Sequence, residues 1–112
     1  MSDHVKEITA AEFEREVRRA GQPVVLDFFS TECPPCEALA PKFESVAEQY
    51  AGRARFVKIF RQGNRELATK LGVTGSPTLV FFTPGGQEQE ERLTGEIQKS
   101  QLKRMVESLL AD

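Results

Sequence analysis

Cys33 and Cys36 are the only two cysteines in the chain, and only Pro34 and Pro35 separate them. Thiols at that spacing can close into one disulfide and open again, so the pair can move electrons between thiols and disulfides. Exchange begins when a thiolate attacks a disulfide sulfur, and a second thiol must then resolve the mixed disulfide. Each cysteine therefore has a task, and position divides them. Cys33 opens a helical pattern, where the positive end of the helix dipole favours a thiolate, and is assigned as the nucleophile and the more exposed of the two. Cys36 lies one turn further in, where burial keeps it protonated until needed, and is assigned as the resolving thiol. The competing reading is a structural or metal-binding pair, but zinc usually takes four ligands, and the only histidine, His4, is far away in sequence.

Asp27 is the second chemical signal. It interrupts the apolar run Val24-Val25-Leu26-Asp27-Phe28-Phe29, six residues before Cys33. A buried lone carboxylate is costly unless paired or protonated, so burial raises its pKa and equips it to exchange a proton near neutral pH, a merely structural aspartate at a strand end being the plain alternative. Lys58 sits between Val57 and Ile59 in another apolar run, where a lysine snorkelling to the surface is the plain alternative to any role near the dithiol.

The elements that must position these groups follow from periodicity. Val5 to Ile8 reads as a short strand. Thr9 with Glu12 forms a capping box, and Ala10, Phe13, Val17 and Ala20 recur at helical spacing up to Gly21, predicting a helix. Pro23 to Phe29 is nearly continuous apolar, as in a strand buried on both faces. From Pro34 to Tyr50 the apolar positions trace one helical face, with Pro41 inside as a kink. Arg55 to Phe60 reads as a strand, Asn64 to Leu71 as a short helix stopped by Gly72, and Thr78 to Phe82 as a strong strand. Thr83-Pro84-Gly85-Gly86 predicts a turn, Glu88 to Leu93 a polar edge strand, and Leu102, Met105, Val106 and Leu109 a final amphipathic helix. Helices between strands predict parallel crossovers, and the Pro-Gly-Gly turn predicts one antiparallel hairpin. The fold class is α/β, a mixed central sheet, mostly parallel, with helices on both faces.

The chain has 112 residues, which predicts a single domain over 1–112 with one real core. Apolar residues make up 39% and charged residues 29%, the balance of a globular protein rather than a disordered or membrane one. The net charge of −2 and the lack of any basic stripe argue against nucleic acid and anionic membranes as partners. Met1 to Glu7 has no apolar stretch of the signal-peptide kind, so a cytoplasmic location is expected. There, a Cys pair two residues apart is usually transient and catalytic rather than a static staple.

Taken together, the residues resemble the thioredoxin family along nearly the whole chain. The resemblance rests on the Val-Val-Leu-Asp-Phe strand, Cys33-Pro34-Pro35-Cys36 opening a helix, Pro41 within it, Lys58 in the next strand, and Gly75-Ser76-Pro77-Thr78 before a hairpin, with Gly95 ahead of the last helix. It implies a thioredoxin fold and places Asp27 beneath the dithiol, as the base that deprotonates the resolving thiol, through water. It also implies that Lys58 lies near Asp27 and tunes its pKa. Pro77 would have a cis peptide facing the dithiol, leaving the Ser76 backbone to pair with an extended substrate, while Glu32, Pro34, Pro35 and Gly95 join the substrate-binding rim.

The departures from the family pattern are as specific as the matches. There is no tryptophan, and Phe29 and Glu32 occupy positions where typical thioredoxins carry indoles. Pro34 stands where glycine is usual. Pro34 and Pro35 together remove two N–H donors from the first helical turn, and Glu32 and Glu37 add negative charge, so the Cys33 thiol should titrate higher than in a Gly-Pro version. The altered rim at Glu32 also bears on which reductase recognises the protein.

These readings converge on a thiol–disulfide oxidoreductase that reduces protein disulfides, needs no bound cofactor or metal, works as a monomer, and is recharged by a thiol/disulfide reductase. The alternatives are an oxidase or isomerase of exported proteins, separable by reduction potential, and a redox-sensing binding module without turnover. Zinc shared between two Cys pairs at a dimer interface is a third, open to metal analysis.

Overall fold

The computed structural model describes residues 3–111. The sequence expectation of one domain over 1–112 therefore includes Met1, Ser2 and Asp112, which lie outside the described residues. Five strands, β1 (Val5–Ile8), β2 (Val24–Phe29), β3 (Arg55–Phe60), β4 (Thr78–Phe82) and β5 (Leu93–Thr94), form one sheet in the order β1-β3-β2-β4-β5. β3 pairs in parallel with β1 and β2, while β4 runs antiparallel to both β2 and β5. Four strands thus point one way, and β4 runs against them. Because β4 is reversed, its start lies at the same end of the sheet as the ends of β2, β3 and β5.

Alternation along β2 sends successive side chains to opposite faces. Val25 joins Phe56, Leu79 and Phe81 beneath α1 (Pro34–Gln49) and α3 (Lys99–Leu110), which contribute Leu39, Phe43, Leu102 and Val106 among others. Val24, Leu26 and Phe28 face the other way, against Phe13, Val17, and Ala68 of α2 (Arg65–Lys70). Aromatic edges lock both layers, Phe43 against Phe56 at 5.3 Å between ring centres and Phe13 against Phe82 at 5.8 Å. Asp27 is two residues beyond Val25, so it shares the α1 face, one pleat closer to the end of β2.

Three local expectations are corrected. The predicted first helix is instead a 3-10 turn over Ala10–Glu12, with its Thr9–Glu12 capping box present, followed by a π-helical turn over Glu14–Arg18. Its signature is the Arg19 N–H donating to the Glu14 carbonyl, five residues back, at 2.9 Å. The crossover through α2 does not give a parallel neighbour. A six-residue helix rises only about 9 Å against the roughly 20 Å length of β3, so the chain re-enters the sheet from the end it left. The edge strand is confined to Leu93–Thr94 rather than running from Glu88. Glu88 does bridge Phe82, but the register slips by two residues before Leu93 meets Leu79. Between them Arg92 turns away to donate to the carbonyls of Leu71 and Gly72 just past α2, and pairs with Glu88.

Candidate active site

β2 ends at Phe29, and a short link through Ser30, Thr31 and Glu32 delivers Cys33 to the N-cap of α1. Glu32 is exposed, with φ of +51°, the left-handed region that non-glycine residues rarely occupy. Pro34 and Pro35 fill the first helical positions, where proline's fixed φ suits the helix and its missing N–H goes unneeded by the helix itself. The Cys33 carbonyl accepts the Glu37 N–H at 3.0 Å, and its Sγ accepts the Cys36 N–H at 3.3 Å. The two cysteines are joined as a disulfide, with Cα atoms 5.2 Å apart.

The expected difference in exposure is not found, since Cys33 and Cys36 are each 9% exposed. Cys33 is covered from the side by Ser76, whose carbonyl oxygen lies 3.7 Å from Sγ. A disulfide sulfur has no proton to donate, but the reduced thiol at this position has an acceptor in reach. The Ser76–Pro77 peptide is cis, Pro77 is buried, and Gly95, with φ of +71°, donates its N–H to the Pro77 carbonyl at 3.2 Å. Ser76, Pro77 and Gly95 thus meet the dithiol at one end of the sheet.

Beneath them, Asp27 is 5% exposed and its Oδ1 has no hydrogen-bond partner. Burial pushes its carboxyl up to about 7, partly opposed by the nearby charge of Lys58, its neighbour across β2 and β3. Lys58 is half-buried, its Nζ 5.3 Å from the centre of the Phe29 ring, a cation–π contact, and Phe29 leans on Phe60 at 5.7 Å. Phe29 thus seats the lysine that faces Asp27.

On the α1 side, Pro34, Pro35 and Lys42 line a cavity of about 320 Å³ with Glu96, Ile97 and Gln98. A larger cavity of about 540 Å³, among His4, Lys6, Glu16, Gln22 and Arg55, lies at the opposite end of the sheet and holds no thiol.

Two residues escaped the sequence reading. Ser30 Oγ donates to Ser76 Oγ at 2.6 Å, and Arg61 Nε donates to the same oxygen at 2.8 Å. Nothing local in the sequence couples residues 46 and 15 positions apart. The only available signal was that each directly follows a strand ending at this end of the sheet.

A disulfide between Cys33 and Cys36 at a helix N-terminus, a buried carboxyl near neutrality on the same face, and the half-buried Ser76 backbone beside the sulfur define a thiol–disulfide oxidoreductase. The thioredoxin family model matches residues 4–108. A thioredoxin of Pseudomonas aeruginosa is 37% identical over 91% of this chain and 93% of its own length. One from Allochromatium vinosum is 35% identical over 96% and 98%, and the chloroplastic thioredoxin X of Arabidopsis thaliana 33% identical over 95% and 58%. The chain belongs to the thioredoxin family.

Proposed function

We propose that this protein reduces protein disulfides, with Cys33 as nucleophile, Cys36 as resolving thiol and Asp27 as proton acceptor. The observation that carries the reading is the placement of Asp27, near pH 7, on the α1 face toward the dithiol end of β2. The Cys33 thiolate attacks one sulfur of the substrate disulfide, a new S–S bond forms, and the displaced substrate thiolate takes a proton. Cys36 then yields its proton toward Asp27 and attacks Cys33 Sγ, releasing the second substrate thiol and leaving the Cys33–Cys36 disulfide. Two electrons pass from the dithiol to the substrate. Lys58 holds the Asp27 pKa from rising further.

The Ser76 backbone, ahead of Pro77, offers its edge to an extended substrate segment, and Glu32, Pro34, Pro35 and Gly95 form the surrounding rim. A thiol/disulfide reductase restores the dithiol. The protein acts as a single-domain monomer in the reducing cytoplasm, where such a pair stays available as thiols.

The deciding measurement is the reduction potential in glutathione buffers, combined with catalysed reduction of insulin. A reductant sits near the thioredoxin value of about −270 mV, whereas a potential near about −180 mV, that of an isomerase, would overturn the direction proposed.

A further inference from the structure

Across the dithiol end of the sheet, the strand order places the end of β3 on one side of Cys33 and the end of β5 on the other. The two sides carry different charged groups. Glu96 follows Gly95 on the β5 side and is exposed, and it shares its cavity with Lys42, whose Nζ is tied to the Ile97 carbonyl at 3.1 Å. On the β3 side Arg61 leaves the strand with its N–H bound to the Phe29 carbonyl at 2.9 Å, and its Nε is held by Ser76 Oγ. One bond through Nε uses one guanidinium donor and leaves the two terminal nitrogens without a hydrogen bond among the described residues. Arg61 and Arg65 line a cavity of about 350 Å³ with Gln62 and Thr69, and neither arginine enters an ion pair among the described residues. A half-buried cation, oriented by the residue that touches the nucleophilic sulfur and lacking a carboxylate of its own, is arranged to receive one.

We propose that Arg61 is a specificity-determining residue, giving the site a preference for disulfides that carry a carboxylate on the flank of the target cysteine facing β3. The proposal rests on the exchange reading above and deepens it by naming a substrate class. A segment laid along Ser76 has one flank toward Arg61 and the other toward Glu96, so the groove reads the order of charges around the cysteine rather than the total charge.

The test uses two peptides of identical composition, one with Glu before and Lys after a single cysteine, the other with Lys before and Glu after. Each carries the same aryl disulfide. The Cys36→Ser variant stops at the mixed disulfide: Cys33 thiolate attacks the peptide sulfur, the Cys33–peptide bond forms, and the aryl thiolate departs and is counted by its absorbance. One peptide is expected to react about fivefold faster than the other, the scale of a well-placed ion pair at a surface. Adding Arg61→Gln brings the ratio down toward one, whereas Arg61→Lys keeps most of it. Should either substitution fail to fold, raising salt from about 50 mM to about 500 mM must still shrink the ratio in the Arg61 protein. A merely structural role through Ser76 slows both peptides alike and leaves the ratio unchanged. Equal rates for the two peptides, or a ratio indifferent to Arg61→Gln or to salt, would overturn the proposal. Absence of any adduct with either peptide would instead sink the exchange reading, and this proposal with it.

Discussion

At the scale of single residues, the proposed proton acceptor is a carboxyl made unusual by its surroundings. Asp27 loses its water to the sheet and α1, and Lys58 recovers only part of what burial costs its charged form. The carboxyl at about 7 can therefore both take and return a proton at physiological pH, which an ordinary aspartate cannot do. Asp27→Asn keeps the shape and removes the titration. Resolution of the mixed disulfide by Cys36 should slow by about 100-fold at neutral pH, on the scale of general-base catalysis. Stopped-flow measurement of that step against pH should show an inflection near 7 in the native protein and none in the variant. An inflection that survives the substitution would assign the proton to another group. Cys33 attack, by contrast, should be little changed, since its Sγ is held by the Cys36 N–H and faces Ser76.

At the scale of elements, the first turn of α1 governs how few donors face the Cys33 sulfur. A helix start normally offers several free N–H groups to an anion, but Pro34 and Pro35 have none, and among the described residues the Cys33 sulfur accepts only the Cys36 N–H. Pro34→Gly restores a donor and should lower the Cys33 pKa, raising the reduction potential by about 10–30 mV in glutathione equilibration. A Cys33 pKa that stays put or rises would contradict this account. A second element-scale prediction concerns Arg92, whose guanidinium satisfies carbonyls past the end of α2. Arg92→Ala should cost about 1 kcal/mol in urea unfolding, with little change in the rate of thiol exchange. The same contact explains what periodicity could not reveal. Alternation and helical spacing place β3, β4 and α1 as found, because there each residue's environment is set by its own element. The polar run from Glu88 to Leu93 reads as strand locally, yet Arg92 is drawn to α2, a partner twenty residues upstream. The π-helical turn has a similar origin, since a bond five residues back rather than four is indistinguishable in an apolar pattern of Phe13 and Val17.

At the scale of the whole molecule, the dithiol, Asp27 and Pro77 could be read from the sequence through motif and resemblance, whereas the convergence of Ser30 and Arg61 on Ser76 required the strand order. That order also makes the buried carboxyl a liability for the fold. Unfolding returns Asp27 to water and to its ordinary value of 3.8, whereas the folded chain holds it at about 7. Between those two values the folded state binds more protons than the unfolded one, so stability declines as pH rises through the window. The contribution is fully present below about pH 4 and has been lost once pH passes about 7. At 1.36 kcal/mol for each tenfold change in proton concentration, the loss approaches about 4 kcal/mol. Asp27→Asn escapes it. The variant should unfold with a free energy similar to the native protein near pH 4, and exceed it by about 2–4 kcal/mol at pH 8. Every other titrating group is common to both proteins, so the difference between their urea curves isolates this one. The oxidised form is the one to measure, because the closed disulfide keeps thiol titration out of the comparison. A difference that stays constant from pH 4 to 8 would mean that Asp27 titrates alike in both states, removing the basis for its role as proton acceptor.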